Sequence, residues 1–159
     1  MGLYDAARLF GFEVESSDNL RFIPLAVRFN LDRFGMRITL DQWQMLPYDD
    51  RALLARFPVE DEVEVEKNFD LALEEMMKTH ANAAPEKIER DADPVWNHAD
   101  AVPETVIRQS SLAGVSPPSL SHWAALDRFQ RYALAKLSRN TDKQNHDFAP
   151  AMREFGLAE

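Results

Sequence analysis

Apolar residues recur along most of this chain at the three-to-four-residue spacing of an α-helix rather than in alternation. Ile23, Val27, Leu31 and Phe34 form the first such series. Pro24 stands where a first helical turn tolerates a residue without an N–H, and Gly35 is placed as a left-handed stop. The spacing therefore predicts a first helix over about 23–34. Thr39-Leu40-Asp41-Gln42 has the pattern of a capping box, in which Thr39 and Gln42 satisfy each other's backbone N–H groups. A second helix starts there, carries Trp43 and is interrupted at Pro47. Asp49 and Asp50 suit the positive end of a renewed helix, which closes at Phe57 before Pro58.

Val65, Phe69, Leu73, Met76 and His80 predict a long helix over 62–82, with Met76 and Met77 in the core. The alternation of Val63-Glu64-Val65-Glu66 leaves a short strand as the lesser alternative. Ala81–Asp100, with Pro85 and Pro94, reads as loop. A fourth helix spans Pro103–Ala113 and stops at Gly114. Pro117-Pro118 makes a rigid connector, and Ser119 can cap a last long helix over 120–139. Residues 1–19 read as an N-terminal arm, either a short helix or irregular, that ends in a polar loop at Ser16–Asn19. A polar tail, Asn140–Asp147, leads to one short helix at Phe148–Phe155.

The two Trp-bearing segments align without gaps at a shift of 80 positions. LDQWQMLPYDDRALLARF (40–57) and LSHWAALDRFQRYALAKL (120–137) share Leu40/Leu120, Trp43/Trp123, Leu46/Leu126, Arg51/Arg131, Leu54/Leu134 and Ala55/Ala135. Upstream, Ile23-Pro24 and Val27 are echoed by Val102-Pro103 and Val106, and Phe34-Gly35 by Ala113-Gly114. Each half reads as a Pro-started helix, a Gly stop and a capped Trp helix. Compositional likeness between amphipathic helices is the alternative. If the repeat is real, two helix pairs share a core, related by a pseudo-twofold. The expected fold is an all-α, single-domain bundle of about five to six helices. It spans 20–157, with repeat-like halves 20–57 and 102–139, a linking helix 60–82 and a loop 83–101.

A helical wheel of 120–139 buries Trp123, Leu126, Ala133, Leu134 and Leu137 and turns Arg128, Arg131 and Arg139 to the opposite, exposed side. Gln130 falls inside the apolar stripe, and its counterpart is Asp50. Both are expected to meet backbone or neighbouring polar groups. As a catalytic acid Asp50 is poorly supported, because no second carboxylate or His stands beside it at a recognisable spacing.

Composition narrows the picture. The chain has 159 residues, 45% of them apolar, and only 5 Gly, which argues against an all-β fold. It has no Cys, so disulfides, thiolate metal sites and cysteine nucleophiles are excluded. No apolar run approaches the roughly 18–20 residues of a membrane span, and no signal peptide is evident. A cytoplasmic protein without a membrane partner is expected. The net charge of −9 opposes approach to nucleic-acid phosphate. That charge is uneven, since in Glu60–Glu75 Lys67 is the one basic residue, while arginines gather elsewhere. Facing helices of opposite charge explain this blandly. The sharper account is a basic surface that receives an acidic partner or an anion. Its candidate partner-binding residues are Arg28, Arg33, Arg37, Arg128, Arg131 and Arg139, whose planar forks suit carboxylate or phosphate.

No catalytic signature is present. His80, His98, His122 and His146 are scattered, so no metal site is expected. The Gly-rich phosphate loops and the GxSxG elbow are absent, and no cofactor is expected. Trp96-Asn97-His98 is a polar loop with an aromatic, a contact point or a plug at the core's edge. RFQRY (128–132) does not define an RNA platform by itself.

Three stretches carry a resemblance: LRFIPLAVRFNLDRFGMRITLDQWQML (20–46), WAALDRFQRYALAKLSR (123–139) and HDFAPAMREFGL (146–157). Together they resemble the nitrate reductase-associated protein family of small bacterial proteins, in matching order over roughly 10–157. The family commonly has cysteines where this chain has Phe34 and Val59, which argues against a thiol-dependent role here. The resemblance implies a non-catalytic accessory function in nitrate assimilation, helping nitrate reductase mature, assemble or acquire its molybdopterin cofactor. Its implied partner is nitrate reductase or a molybdenum-cofactor delivery protein. Two other functions stay open: a helical module that binds an anion or the molybdenum cofactor, and an unrecognised enzyme built around Asp50 or a His.

Overall fold

A computed structural model describes residues 8–14, 18–59 and 68–158. The described residues are predominantly helical, as the apolar spacing predicts, and the fold is all-α. They divide into two compact units, residues 1–90 and 91–159.

In the first unit, α1 (Leu25–Phe34) begins behind Pro24, which occupies the cap position rather than the first turn. It ends on Gly35 in the left-handed conformation (φ +66°). Glycine is needed there for a second reason. A Cβ would lie 2.7 Å from Cγ of Arg90 and 2.8 Å from the Ile88 carbonyl oxygen. Ile88 N–H donates to the Gly35 carbonyl at 2.9 Å, and Arg90 donates to the Arg33 carbonyl at 3.0 Å. The last carbonyls of α1 are thus satisfied by a segment distant in sequence. The same close approach pairs β1 (Met36–Arg37) antiparallel with β2 (Glu86–Lys87). This two-residue ladder was not expected from the apolar pattern, because pairing so short depends on the tertiary approach.

α2 (Leu40–Met45) opens with the expected capping box: Gln42 N–H donates to Thr39 Oγ1 at 3.0 Å, and Thr39 N–H to Gln42 Oε1 at 2.9 Å. Leu46 and Pro47 are extended and α3 (Tyr48–Arg56) follows. α4 (Phe69–His80) is the described part of the helix expected over 62–82. The Val63–Glu66 alternation, like most of the acidic run, lies outside the described residues. The core gathers Val27, Trp43, Leu54, Phe69, Leu73 and Met77. Phe69 is its aromatic hub, edge-on to Phe57 at 5.5 Å and stacked on Phe34 at 5.7 Å. Each such buried side chain contributes about 1.5–3 kcal/mol.

In the second unit α5 (Glu104–Ala113) also starts behind a capping Pro, Pro103, and stops on a left-handed Gly114. Residues 120–139 are not one helix. α6 (Leu120–Ala125), capped by Ser119, ends at extended Leu126, and α7 (Arg128–Leu137) restarts behind Asp127. Asp127 and Gln130 form a second capping box, with bonds of 2.7 and 3.0 Å. Gln130 therefore serves a helix start. α8 (Phe148–Glu154) packs with α5 and α7, burying Val106, Tyr132, Leu134, Phe148 and Met152.

Candidate functional site

The six candidate arginines have different fates. Arg28 is exposed on α1, with Nε donating to the Ile23 carbonyl at 3.3 Å. Arg33 is half-buried and turned inward. Its guanidinium binds Asn30 Oδ1 and, at 3.0 Å, the Pro58 carbonyl, and lies 4.6 Å from the centre of the Phe29 ring. Asn30, fully buried, donates to the same Pro58 carbonyl. This pair ties α1 to the chain beyond α3. Arg37 is exposed and lies 3.9 Å from Glu86 across the β1–β2 ladder, an exposed pair of small energetic weight.

Arg131 corrects the wheel: it is 9% exposed rather than on an open face. Its Nε donates to the Trp96 carbonyl at 2.9 Å and its Nη1 to the Leu126 carbonyl at 2.6 Å. The physical reason is the break at Leu126–Asp127, which changes the phase that a continuous helix would have kept. Arg128 is half-buried at the start of α7, and Arg139 is exposed beyond its end. Trp96 plugs an edge, its ring 4.8 Å from Tyr132 at 85° with Lys136 above both rings.

Two histidine contacts appear that spacing alone did not indicate. His80 Nε2 on α4 lies 3.2 Å from Asp50 Oδ2 on α3, so Asp50 does have a titratable neighbour. His98 Nε2 lies 2.7 Å from Asp93, and its Nδ1 lies 3.7 Å from Asp100. Each is a pair or a short chain at partly exposed side chains. Among the described residues no group of three or more His, Asp or Glu side chains is arranged to hold a metal ion, and no helix is long and apolar enough to cross a membrane.

Besides Asn30, the buried Glu13 and Gln109 bind backbone groups that no local pattern in the sequence signals. Glu13 accepts from Phe10 N–H at 3.0 Å and from Leu25 N–H at 2.9 Å. It caps α1 from outside, where Pro24 provides no side-chain cap. Gln109, buried on α5, donates to the Asn140 and Lys143 carbonyls and accepts from Asn145 N–H. An isolated Glu in the arm gives no local signal of this kind.

Fold and side chains together define an all-α protein whose described polar clusters serve as helix caps, carbonyl clamps and surface ion pairs. The chain belongs to the conserved nitrate reductase-associated protein family, whose model matches residues 9–155. No curated protein and no solved structure matches it. The family is one of associated proteins, which implies a protein partner. Phe34, one of the two positions where the resemblance implies a cysteine, is stacked on Phe69.

Proposed function

We propose that this protein is a non-catalytic accessory factor in the bacterial cytoplasm that assists maturation or assembly of nitrate reductase. The observation that carries this is the family match over nearly the whole chain. Among the described residues, buried polar side chains hold backbone groups while Arg28, Arg37 and Arg139 stay exposed, where a protein partner could meet them. Commitment of Arg33 and Arg131 to carbonyls also removes two of the six cations that an anion- or cofactor-binding module would use.

The same proposal extends to the architecture, with residues 20–57 and 102–139 as two copies of one helical unit. In support, both copies have a capping Pro, a left-handed Gly stop and a side-chain-capped short helix. In both, a buried Trp donates its indole N–H to a carbonyl of the preceding arm: Trp43 to Leu20, Trp123 to His98.

The test is nitrate reductase isolated from a deletion strain grown on nitrate. Lower specific activity or molybdenum content at equal polypeptide amount supports the proposal. Unchanged activity, molybdenum and assembly state, with no co-purification of the two proteins, overturns it.

A further inference from the structure

The segment before α1 turns through two residues of unusual backbone conformation. Asn19 and Leu20 are consecutive non-glycine residues in the left-handed region, at φ +60° and +52°. A side chain makes that conformation unfavourable, and it persists only where the surroundings enforce it. Here the enforcement is visible. The Leu20 carbonyl accepts from Trp43 Nε1 at 2.8 Å and from Arg51 Nη1 at 2.9 Å. The next carbonyl, of Arg21, accepts from Gln44 Nε2 at 3.0 Å. Three side chains from α2 and α3 thus hold two successive carbonyls of a strained turn.

The turn is anchored by buried Leu20 and Ile23, yet it leaves Phe22 between them 49% exposed. The Arg21 guanidinium lies 5.7 Å from the Phe22 ring centre. Arg28 folds back to the Ile23 carbonyl and so flanks the same segment. Among the described residues neither Arg21 nor Arg28 takes part in an ion pair. Met45, next to the Gln44 that holds the turn, is 55% exposed. In the second unit the arm aromatic, Trp96, is instead packed on Tyr132.

An aromatic held in the open by a strained turn, with one cation beside its ring and another bonded to the carbonyl of the next residue, on a chain of net charge −9, has the chemistry of a contact point. Aromatics and arginines are the side chains that anchor protein interfaces. We propose that Arg21, Phe22, Arg28 and Met45 form a docking surface for an acidic peptide segment of a protein partner. An apolar side chain of that segment covers Phe22, and its carboxylates pair with Arg21 and Arg28. Charge complementarity selects this occupant, since Arg21 and Arg28 stand beside Phe22 in sequence or by contact and take part in no ion pair among the described residues. The assignment rests on the proposed function in taking nitrate reductase as the protein that bears the segment.

The test is calorimetric titration of the purified protein with nitrate reductase from the same organism at low and high salt. Phe22→Ala and the double variant Arg21→Glu/Arg28→Glu are compared with Arg108→Glu, a charge reversal at an exposed residue of α5, and the fold of each is checked by circular dichroism and melting. The expected result is affinity about tenfold or more weaker for the first two, Arg108→Glu within about twofold of wild type, and a shallower salt dependence in the charge-reversed double variant. Wild-type binding that neither variant weakens, or that only Arg108→Glu weakens, overturns the assignment and leaves the proposed function standing. Absence of wild-type binding overturns the assignment, while the deletion-strain measurement decides the proposed function separately. Vesicles of phosphatidylglycerol form the last arm: binding to them that Phe22→Ala abolishes, with reductase binding intact, overturns the peptide assignment in favour of a lipid surface.

Discussion

The indole N–H of Trp43 donates to the Leu20 carbonyl at 2.8 Å, joining α2 to the strained turn that precedes α1. Arg51 donates to the same oxygen, but its Nε is buried with no hydrogen-bond partner among the described residues. Arg131, at the matching position in the second unit, uses both Nε and Nη1 on carbonyls. Two aligned arginines therefore differ in how completely they are satisfied.

That difference sets the first expectation. Arg51→Met loses a charged hydrogen bond but also relieves a buried unsatisfied donor, for a net cost of about 1 kcal/mol. Arg131→Met loses two such bonds with no relief and costs about 2–3 kcal/mol. Urea unfolding midpoints of the two variants check the order.

Trp43→Phe removes the N–H together with the five-membered ring of a fully buried side chain, so a lost hydrogen bond and a small cavity together cost about 2–4 kcal/mol. Because Trp43 and Arg51 share one acceptor, the double variant should depart from additivity by roughly 0.5 kcal/mol or more. A double-mutant cycle on unfolding free energies measures that coupling.

Gly35 and Gly114 both end helices with positive φ, so alanine strains either by about 1–2 kcal/mol. At Gly114 nothing lies within 4 Å of the added Cβ, whereas at Gly35 it meets the Ile88 carbonyl at 2.8 Å. Gly35→Ala should therefore lower the melting temperature clearly more than Gly114→Ala, as differential scanning calorimetry would show.

Removing the Glu13 carboxylate strands the buried Leu25 N–H at the start of α1. Glu13→Ala is expected to cost about 1–3 kcal/mol. Amide exchange at Leu25, whose N–H the carboxylate accepts, should accelerate more than exchange in α4.

Gln109 holds three backbone groups between 140 and 145 with one side chain. Gln109→Ala should free that tail, so native-state trypsin cleavage after Lys143 becomes faster while the core helices stay protected. Mass spectrometry of the early fragments reads the outcome.

Local chemistry by itself determined the helix class and many helix ends. Pro24, Gly35, the Thr39–Gln42 box, Pro47, Gly114 and Ser119 act through bonds to residues a few positions away, and all but Pro24, which caps α1 instead of lying in its first turn, stand where the local pattern places them. The Asp127–Gln130 box was legible by the same rule, but the apolar stripe across 120–139 masked it and carried the wrong phase to Arg131. What only the tertiary structure decided has long sequence separation: Glu13 on Leu25, Arg33 on Pro58, His80 beside Asp50, Gln109 on the tail, and the turn at Asn19-Leu20 held by Trp43 and Arg51. Periodicity cannot show these contacts, because a polar side chain finds its carbonyl or N–H only after packing has brought the segments together. That is also why the surface arginines could be named from the sequence, but not which of them remain free to meet a partner.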